Sequence, residues 1–203
     1  MDTEPIVSIV DDDADVRCSL RQLTTSVGLQ ARTYQSATEF LEQYDDERPG
    51  CLILDVRLNG MSGLDLQQKL VERGSSLPII IITGFGDVPM ALRAMRAGAV
   101  DFIEKPFAHQ MLLDCVQNAL KQDAKNRLAR AEREKLQRRL SRLSKRQHQV
   151  LDLIVQGKTT IEIARYLGLS PKTVYAHRAE ALDKLDAATV TEAAQRVIAA
   201  KAS

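Results

Sequence analysis

The first hundred residues alternate two patterns of apolar and polar positions. Residues 6–10, 51–54, 78–82 and 100–103 are short, nearly unbroken apolar runs. Such runs suit parallel strands covered on both faces. Residues 29–34 form a weaker strand candidate. Between them lie stretches with helical spacing. Residues 14–26 bring Val16, Leu20 and Leu23 onto one face, with Val27 following, and 62–73 do the same for Leu64, Leu66 and Leu70. A third stretch, 87–97, opens with Asp87 as a cap, carries Pro89 in its first turn and stops at Gly98. Five β-then-α units in this length predict an α/β domain, a five-stranded doubly wound parallel sheet.

From Ala108 to Leu143 neither Pro nor Gly interrupts the chain. Leu112, Leu113, Val116, Leu120, Ala124, Leu128 and Ala131 recur at steps of three or four, apart from the adjacent pair. Leu136, Leu140 and Leu143 resume the stripe after a longer step. This predicts a last domain helix continuing as a long helical linker. Its stripe either seams two copies as a short coiled coil or packs on its own domain. After Ser144 the pattern is helical again, in four pieces. Ser144, Thr159 or Thr160, and Ser170 stand as caps, Gly157 and Gly168 as stops, and Pro171 at a first helical position. The fourth piece spans 191–200. The turn Gly168-Leu169-Ser170 between two short helices has the outline of a helix-turn-helix. The expected division is 1–121, a linker 122–142, and an all-α four-helix domain 143–203.

Charge sharpens the division. The 203 residues have a net charge of +1, but residues 1–120 carry −8, 121–146 carry +8 and 147–203 carry +1. An acidic block joined to a basic one points to two jobs, with a polyanion as the second partner. The plainer reading of the basic run is a solvated helix face. No apolar run approaches the roughly 18 residues of a membrane helix, and the acidic N-terminus does not read as a signal peptide. Three scattered cysteines argue against a disulfide framework or a cysteine zinc site. A reducing cytoplasm and no membrane partner are the expectation.

A parallel sheet gathers its strand ends at one edge. Asp11-Asp12-Asp13 follow the first strand, Asp55 ends the third, Thr83 ends the fourth and Lys105 follows the fifth. Crowded carboxylates are costly unless protonated or holding a cation, and hard oxygen ligands suit Mg²⁺. A carboxylate beside Mg²⁺ can attack a phosphoryl group as a nucleophile. Lys105 would balance the transferred charge and the Thr83 hydroxyl would donate to it. Singly, each has an ordinary reading: a turn and cap, a strand-end Thr, a Lys-Pro turn. On four strand ends together, the chemistry is coherent.

On these residues the chain resembles a known family. Ile-Val-Asp-Asp-Asp (9–13), Leu-Asp-Val-Arg (54–57), Met-Ser-Gly (61–63), Ile-Thr-Gly (82–84) and Asp-Phe-Ile-Glu-Lys-Pro-Phe (101–107) are similar to the receiver domain of two-component response regulators. Residues 86–99 resemble the FixJ subfamily in particular. The resemblance implies a flavodoxin-like receiver that accepts a phosphoryl group on Asp55 from a sensor histidine kinase. It implies Mg²⁺ held by Asp12, Asp55 and the Arg57 carbonyl, with Asp11 reaching it through water. It also implies a coupled switch of Thr83 and Phe102. Phe85 stands where the FixJ-like pattern more often has His, and it is expected to alter the lifetime of the phosphoryl group.

Residues 143–185 resemble the LuxR/FixJ-type helix-turn-helix. The match runs through 143–151, Gly157, Ile163-Ala164, 167–174, His177-Arg178 and Lys184-Leu185. Gln147 and Gln149 replace two usual Glu, and Thr160-Ile161 replaces a usual Asn-Lys. In the recognition helix, Val174, Ala181, Leu182 and Leu185 face inward. Lys172, Tyr175, Ala176 and Ala179 share an outer face for base edges. Lys172, Thr173 and Arg178 are read as phosphate contacts. His177 is read first as a structural hydrogen-bonding residue. Gly157-Lys158-Thr159 and Gly84-Phe85-Gly86 are incomplete echoes of nucleotide-binding loops.

The expected function is a transcription regulator, not an enzyme. On phosphorylation it would form a homodimer and bind double-stranded promoter DNA, with RNA polymerase a further partner. A phosphatase using an Asp-x-Asp pair would need an acid where Arg57 stands. A phosphorylation-independent oligomerising protein would have no use for the acid cluster, Thr83 and Lys105.

Overall fold

The computed structural model of the chain describes residues 4–84 and 86–201. They divide into two compact units, the first ending at Arg127 and the second beginning at Leu128.

In the first unit, β1 (Ile6–Val10), β2 (Gln30–Tyr34), β3 (Gly50–Asp55), β4 (Ile79–Thr83) and β5 (Asp101–Glu104) form one sheet. Its order is β2-β1-β3-β4-β5, and every pair is parallel. Pairing Ile6 with Gly50 and Leu52 with Ile79 sets the register that brings Val10, Asp55 and Thr83 to one edge. The apolar runs supply both faces. Val10, Leu52, Leu54, Ile79 and Ile81 pack in one cluster with Phe40, Leu66, Leu70 and Ala94. Those four come from α2 (Ala37–Gln43), α3 (Gly63–Glu72) and α4 (Val88–Arg96). Val7, Ile9, Cys51, Ile53, Ile80, Ile82 and Ile103 pack on the other face with Leu20, Leu112, Val116 and Ala119, from α1 (Ala14–Ser26) and α5 (His109–Leu140). Each fully buried aliphatic side chain contributes about 1.5–3 kcal/mol relative to exposure. β2 lies at the edge of the sheet and carries the half-polar pattern that made it the weakest strand in the sequence.

Helix α5 is continuous for 32 residues. Its buried face holds through Val116 and Ala119, but Ala124, Leu128 and Ala131 are exposed, so packing on the sheet accounts only for the first half of the stripe. Beyond Ala119 the buried position is Asp123, not a leucine. Its carboxylate accepts the Gly50 amide at 2.9 Å and pairs with Arg127. Arg127 in turn donates to the carbonyls of Asp46, Glu47 and Arg48. This clamp extends the first unit past residue 121.

The second unit adds α6 (Lys145–Val155), α7 (Thr160–Leu167), α8 (Pro171–Leu185) and α9 (Val190–Lys201). Ser144, Thr159 and Ser170 cap the first three. Gly168, at φ 66°, ends α7 in the left-handed conformation that glycine adopts without penalty. Gln147 completes the capping box of α6, as a Glu would. As an amide it also donates to Glu180 at 2.7 Å while accepting from Lys184 at 2.9 Å, tying α6 to α8. A glutamate there would face Glu180 as a like charge.

Candidate functional site

Strand β1 runs straight into a bend at Asp11-Asp12-Asp13, and the three acids part company there. Asp13 caps α1 through Asp15 and Val16. Asp12 is exposed and its Oδ2 accepts from the Asn59 amide at 2.9 Å. Asp11 turns inward and is 1% exposed. Its Oδ1 is fixed by the Asp13 amide, and Arg17 donates to its carbonyl at 2.7 Å. Asp55, ending β3, stands beside it and is also buried.

Lys105 joins the two. Its ammonium donates to Asp11 Oδ2 at 2.7 Å and to Asp55 Oδ1 at 2.9 Å. The Lys105 amide donates to the Thr83 carbonyl at 2.8 Å, which anchors the start of the β5–α5 connection, and the Lys105–Pro106 bond is cis. The second Asp55 oxygen, Oδ2, accepts from the Arg57 amide at 2.6 Å. Gly63 permits this packing: a Cβ there would stand 2.1 Å from the Asp55 carbonyl oxygen. Thr83, ending β4, is fully buried. Its methyl and the Phe102 ring border the same space around Gly86.

The electrostatics follow from burial. Desolvation pushes the Asp55 carboxyl above its ordinary range, and the charge of Asp11 adds to it. The Lys105 hydrogen bond and charge and the Arg57 amide pull the other way without cancelling it. Burial works to lower the Lys105 ammonium, but the two carboxylates outweigh it and hold the amine charged. The cluster therefore has a basic, poorly solvated carboxylate under a fixed cation.

Among the described residues, no three His, Cys, Asp or Glu side chains gather as a ready metal cage. The donor set nonetheless fits a hard divalent cation. Asp11 and Asp55 supply oxygens that share the Lys105 ammonium, Asp12, next in the chain, is exposed and held by Asn59, and an octahedral Mg²⁺ keeps several waters of its own. Asn59 and Arg17 are site neighbours that no sequence spacing announced. Phe85 lies outside the described residues.

The second unit presents α8. Val174, Ala181 and Leu185 are buried and Leu182 partly so. Lys172, Tyr175, Ala176 and Ala179 are exposed, so they share a free face. The Arg178 guanidinium lies 4.7 Å over the Tyr175 ring. The Thr173 amide donates to Ser170 Oγ at 3.1 Å, and their hydroxyls lie 2.7 Å apart, which commits Thr173 to the helix start. The structural hydrogen bond expected of His177 is not found at Nδ1, which is buried without a partner among the described residues.

Comparisons with known proteins match both units. Residues 7–117 fit the response regulator receiver domain, and 141–197 fit the bacterial regulatory proteins of the luxR family. The chain is 44% identical over 179 residues to the transcriptional regulatory protein TdiR of Thauera aromatica, covering 88% of this chain and 79% of that protein. It is 39% identical to the transcriptional regulatory protein FixJ of Rhizobium meliloti, covering 97% of each. Among solved structures, the response regulator StyR aligns with a TM-score of 0.89 at 40% identity, over 97% of this chain and 100% of that one. Full-length FixJ from B. japonicum aligns with a TM-score of 0.60 at 33% identity, over 99% of each.

Proposed function

Since the chain belongs to the two-component response regulators, with a receiver ahead of a LuxR-type DNA-binding domain, we propose that Asp55 is its phosphoacceptor and that the acid cluster controls the DNA-binding half. The family is one of transcription regulators, not of enzymes, and its members take their signal from a sensor kinase and act on DNA. The observation that carries the reading is the single ammonium of Lys105 bridging Asp11 and Asp55.

The roles follow from that geometry. Desolvation makes Asp55 a more basic nucleophile than an exposed aspartate. An Asp55 oxygen bonds to the phosphorus of a phosphohistidine donor, and the imidazole leaves with the electron pair of the broken P–N bond. Lys105, already aligned, balances the charge on the phosphoryl oxygens without reorganising. The Thr83 hydroxyl donates to one of those oxygens, and Phe102, beside it, follows the change in packing. Asp11, Asp12, Asp55 and the Arg57 carbonyl would hold Mg²⁺, which supplies further charge neutralisation.

In the second half, Lys172 and Arg178 would contact phosphates, with Thr173 at the helix start beside them. Tyr175, Ala176 and Ala179 would face base edges. Phosphorylation shifts the chain toward a homodimer that sets two recognition helices on promoter DNA, where RNA polymerase is met. No described helix is long and apolar enough to cross a membrane, and the cytoplasm is the proposed setting.

The test is incubation with acetyl phosphate and Mg²⁺, followed by intact mass, oligomeric size and DNA binding. Wild type is expected to gain one phosphoryl group, enlarge and bind more tightly. Asp55→Asn should do none of these; a normal response from it overturns the reading.

A further inference from the structure

Between β1, β2, α2 and the loop before β3 lies a hollow of about 50 Å³, reaching from Ile6 and Gly50 at the strand starts to Tyr34 at the end of β2, with Phe40 and Leu77 as its apolar wall. Ser8 of β1, Arg32 and Tyr34 of β2, and Asp45 and Arg48 of the loop before β3 line it. Its charge balance is unusual for a surface recess. Neither Arg32 nor Arg48 makes an ion pair among the described residues. Asp45, the one acid in the lining, is engaged through Oδ1 with the Glu47 amide at 3.0 Å. Arg48 Nε is buried and has no acceptor among the described residues. Buried N–H groups without a partner are rare in native proteins, and each calls for an explanation such as local strain, a bound water or ion, or a function.

The loop that carries Arg48 is fixed before any ligand arrives. Arg127 holds the carbonyls of Asp46, Glu47 and Arg48 at 2.9, 2.9 and 2.6 Å, and Asp123 holds Arg127. A preformed loop spares binding the cost of ordering it. Size narrows the ligand. At roughly 10–15 Å³ per enclosed water on this measure, the hollow has room for a few waters and not for a nucleotide. A guanidinium fork matches the paired oxygens of a carboxylate or phosphate.

We propose that this hollow binds a small oxyanion, inorganic phosphate or a short-chain carboxylate, between Arg32 and Arg48. The site is separate from the phosphoacceptor cluster and does not depend on its chemistry.

The experiment uses the full chain carrying Asp55→Asn, without divalent cations, so that the acid cluster is silent. Phosphate, acetate and chloride are titrated at constant ionic strength while the backbone amides of Ser8, Arg48 and Gly50 are followed by NMR. Saturable shifts with phosphate, acetate or both are expected, and whichever anion saturates names the ligand class. Arg48→Gln should weaken them by about tenfold or more, the loss of one charge-assisted contact. Arg32→Gln, an exposed edge position that leaves the core untouched, should weaken them similarly. Shifts that do not saturate, that chloride reproduces, or that survive both substitutions overturn the proposal and leave a water-filled hollow.

Discussion

The strand-end cluster and the outer face of α8 are the two surfaces we propose to be at work, and they are built in opposite ways. Asp11, Asp55 and Thr83 are buried, and Lys105 is aimed at two of them by hydrogen bonds within the chain. Their fields are fixed and poorly screened, so a small charge added there has a large effect. Tyr175, Ala176 and Ala179 on α8 are exposed, and on the proposed reading what they contact belongs to another molecule. On the proposed reading the receiver carries its chemistry in preorganised electrostatics, whereas α8 carries only a shape and a charge. Substitutions should accordingly act through stability and all-or-none chemistry at the first surface, and through graded affinity at the second.

The largest effect outside the proposed phosphoacceptor is expected at the clamp on α5. Arg127→Ala leaves the buried Asp123 carboxylate without its cation and three loop carbonyls without their donor. A loss of about 3 kcal/mol in urea unfolding of the receiver is expected, with DNA contacts unaltered. A loss below about 0.5 kcal/mol would place this pair with exposed ion pairs. Next is Lys105→Ala, which leaves Asp11 and Asp55 buried side by side. It should cost about 1–3 kcal/mol at neutral pH. It should also leave a phosphorylated chain that no longer gains DNA affinity, as anisotropy would report.

Smaller and graded effects belong to α8. Lys172→Ala should weaken all DNA sequences alike and reduce the slope of log affinity against log salt by about one. Tyr175→Ala should instead change which bases are preferred, and it removes the ring beneath Arg178. A uniform weakening from Tyr175→Ala would show that no base is read there. The smallest effect is at Glu162, whose carboxyl is held below its usual range by the Thr159 amide and hydroxyl. A depressed folded pKa means its contribution is present above the unfolded value and fades as pH falls through the folded one. Glu162→Gln should flatten that acid-side loss in a melting series.

The same contrast explains what the sequence disclosed. Unbroken apolar runs fixed four strands and Ser, Thr and Asp caps fixed helix starts, because both signals are local. The parallel topology then carried Asp11, Asp55, Thr83 and Lys105 to one edge. The span of α2 leaves no clear trace in the sequence, since seven residues offer little periodicity. Asn59 on Asp12, and Asp123 with Arg127 under the β3 loop, join positions distant in sequence through polar contacts that leave no period. Asp123 in particular is the buried residue of the turn for which the apolar stripe of α5 predicted Ala124. Of the three adjacent acids, which one turns inward was equally invisible, because Lys105 holds Asp11 and Asn59 holds Asp12, both from far along the chain. His177 went unexplained by a structural hydrogen bond at Nδ1 because that bond depends on packing, not on helix position.

The central claim is that one carboxylate, selected by burial and by Lys105, carries the phosphoryl group. The most direct measurement is borohydride trapping of the acyl phosphate after acetyl phosphate treatment, with the reduced position located by peptide mass spectrometry. Reduction at position 55 alone is the predicted result. Reduction at Asp11, at Asp12 or spread over the cluster would contradict it.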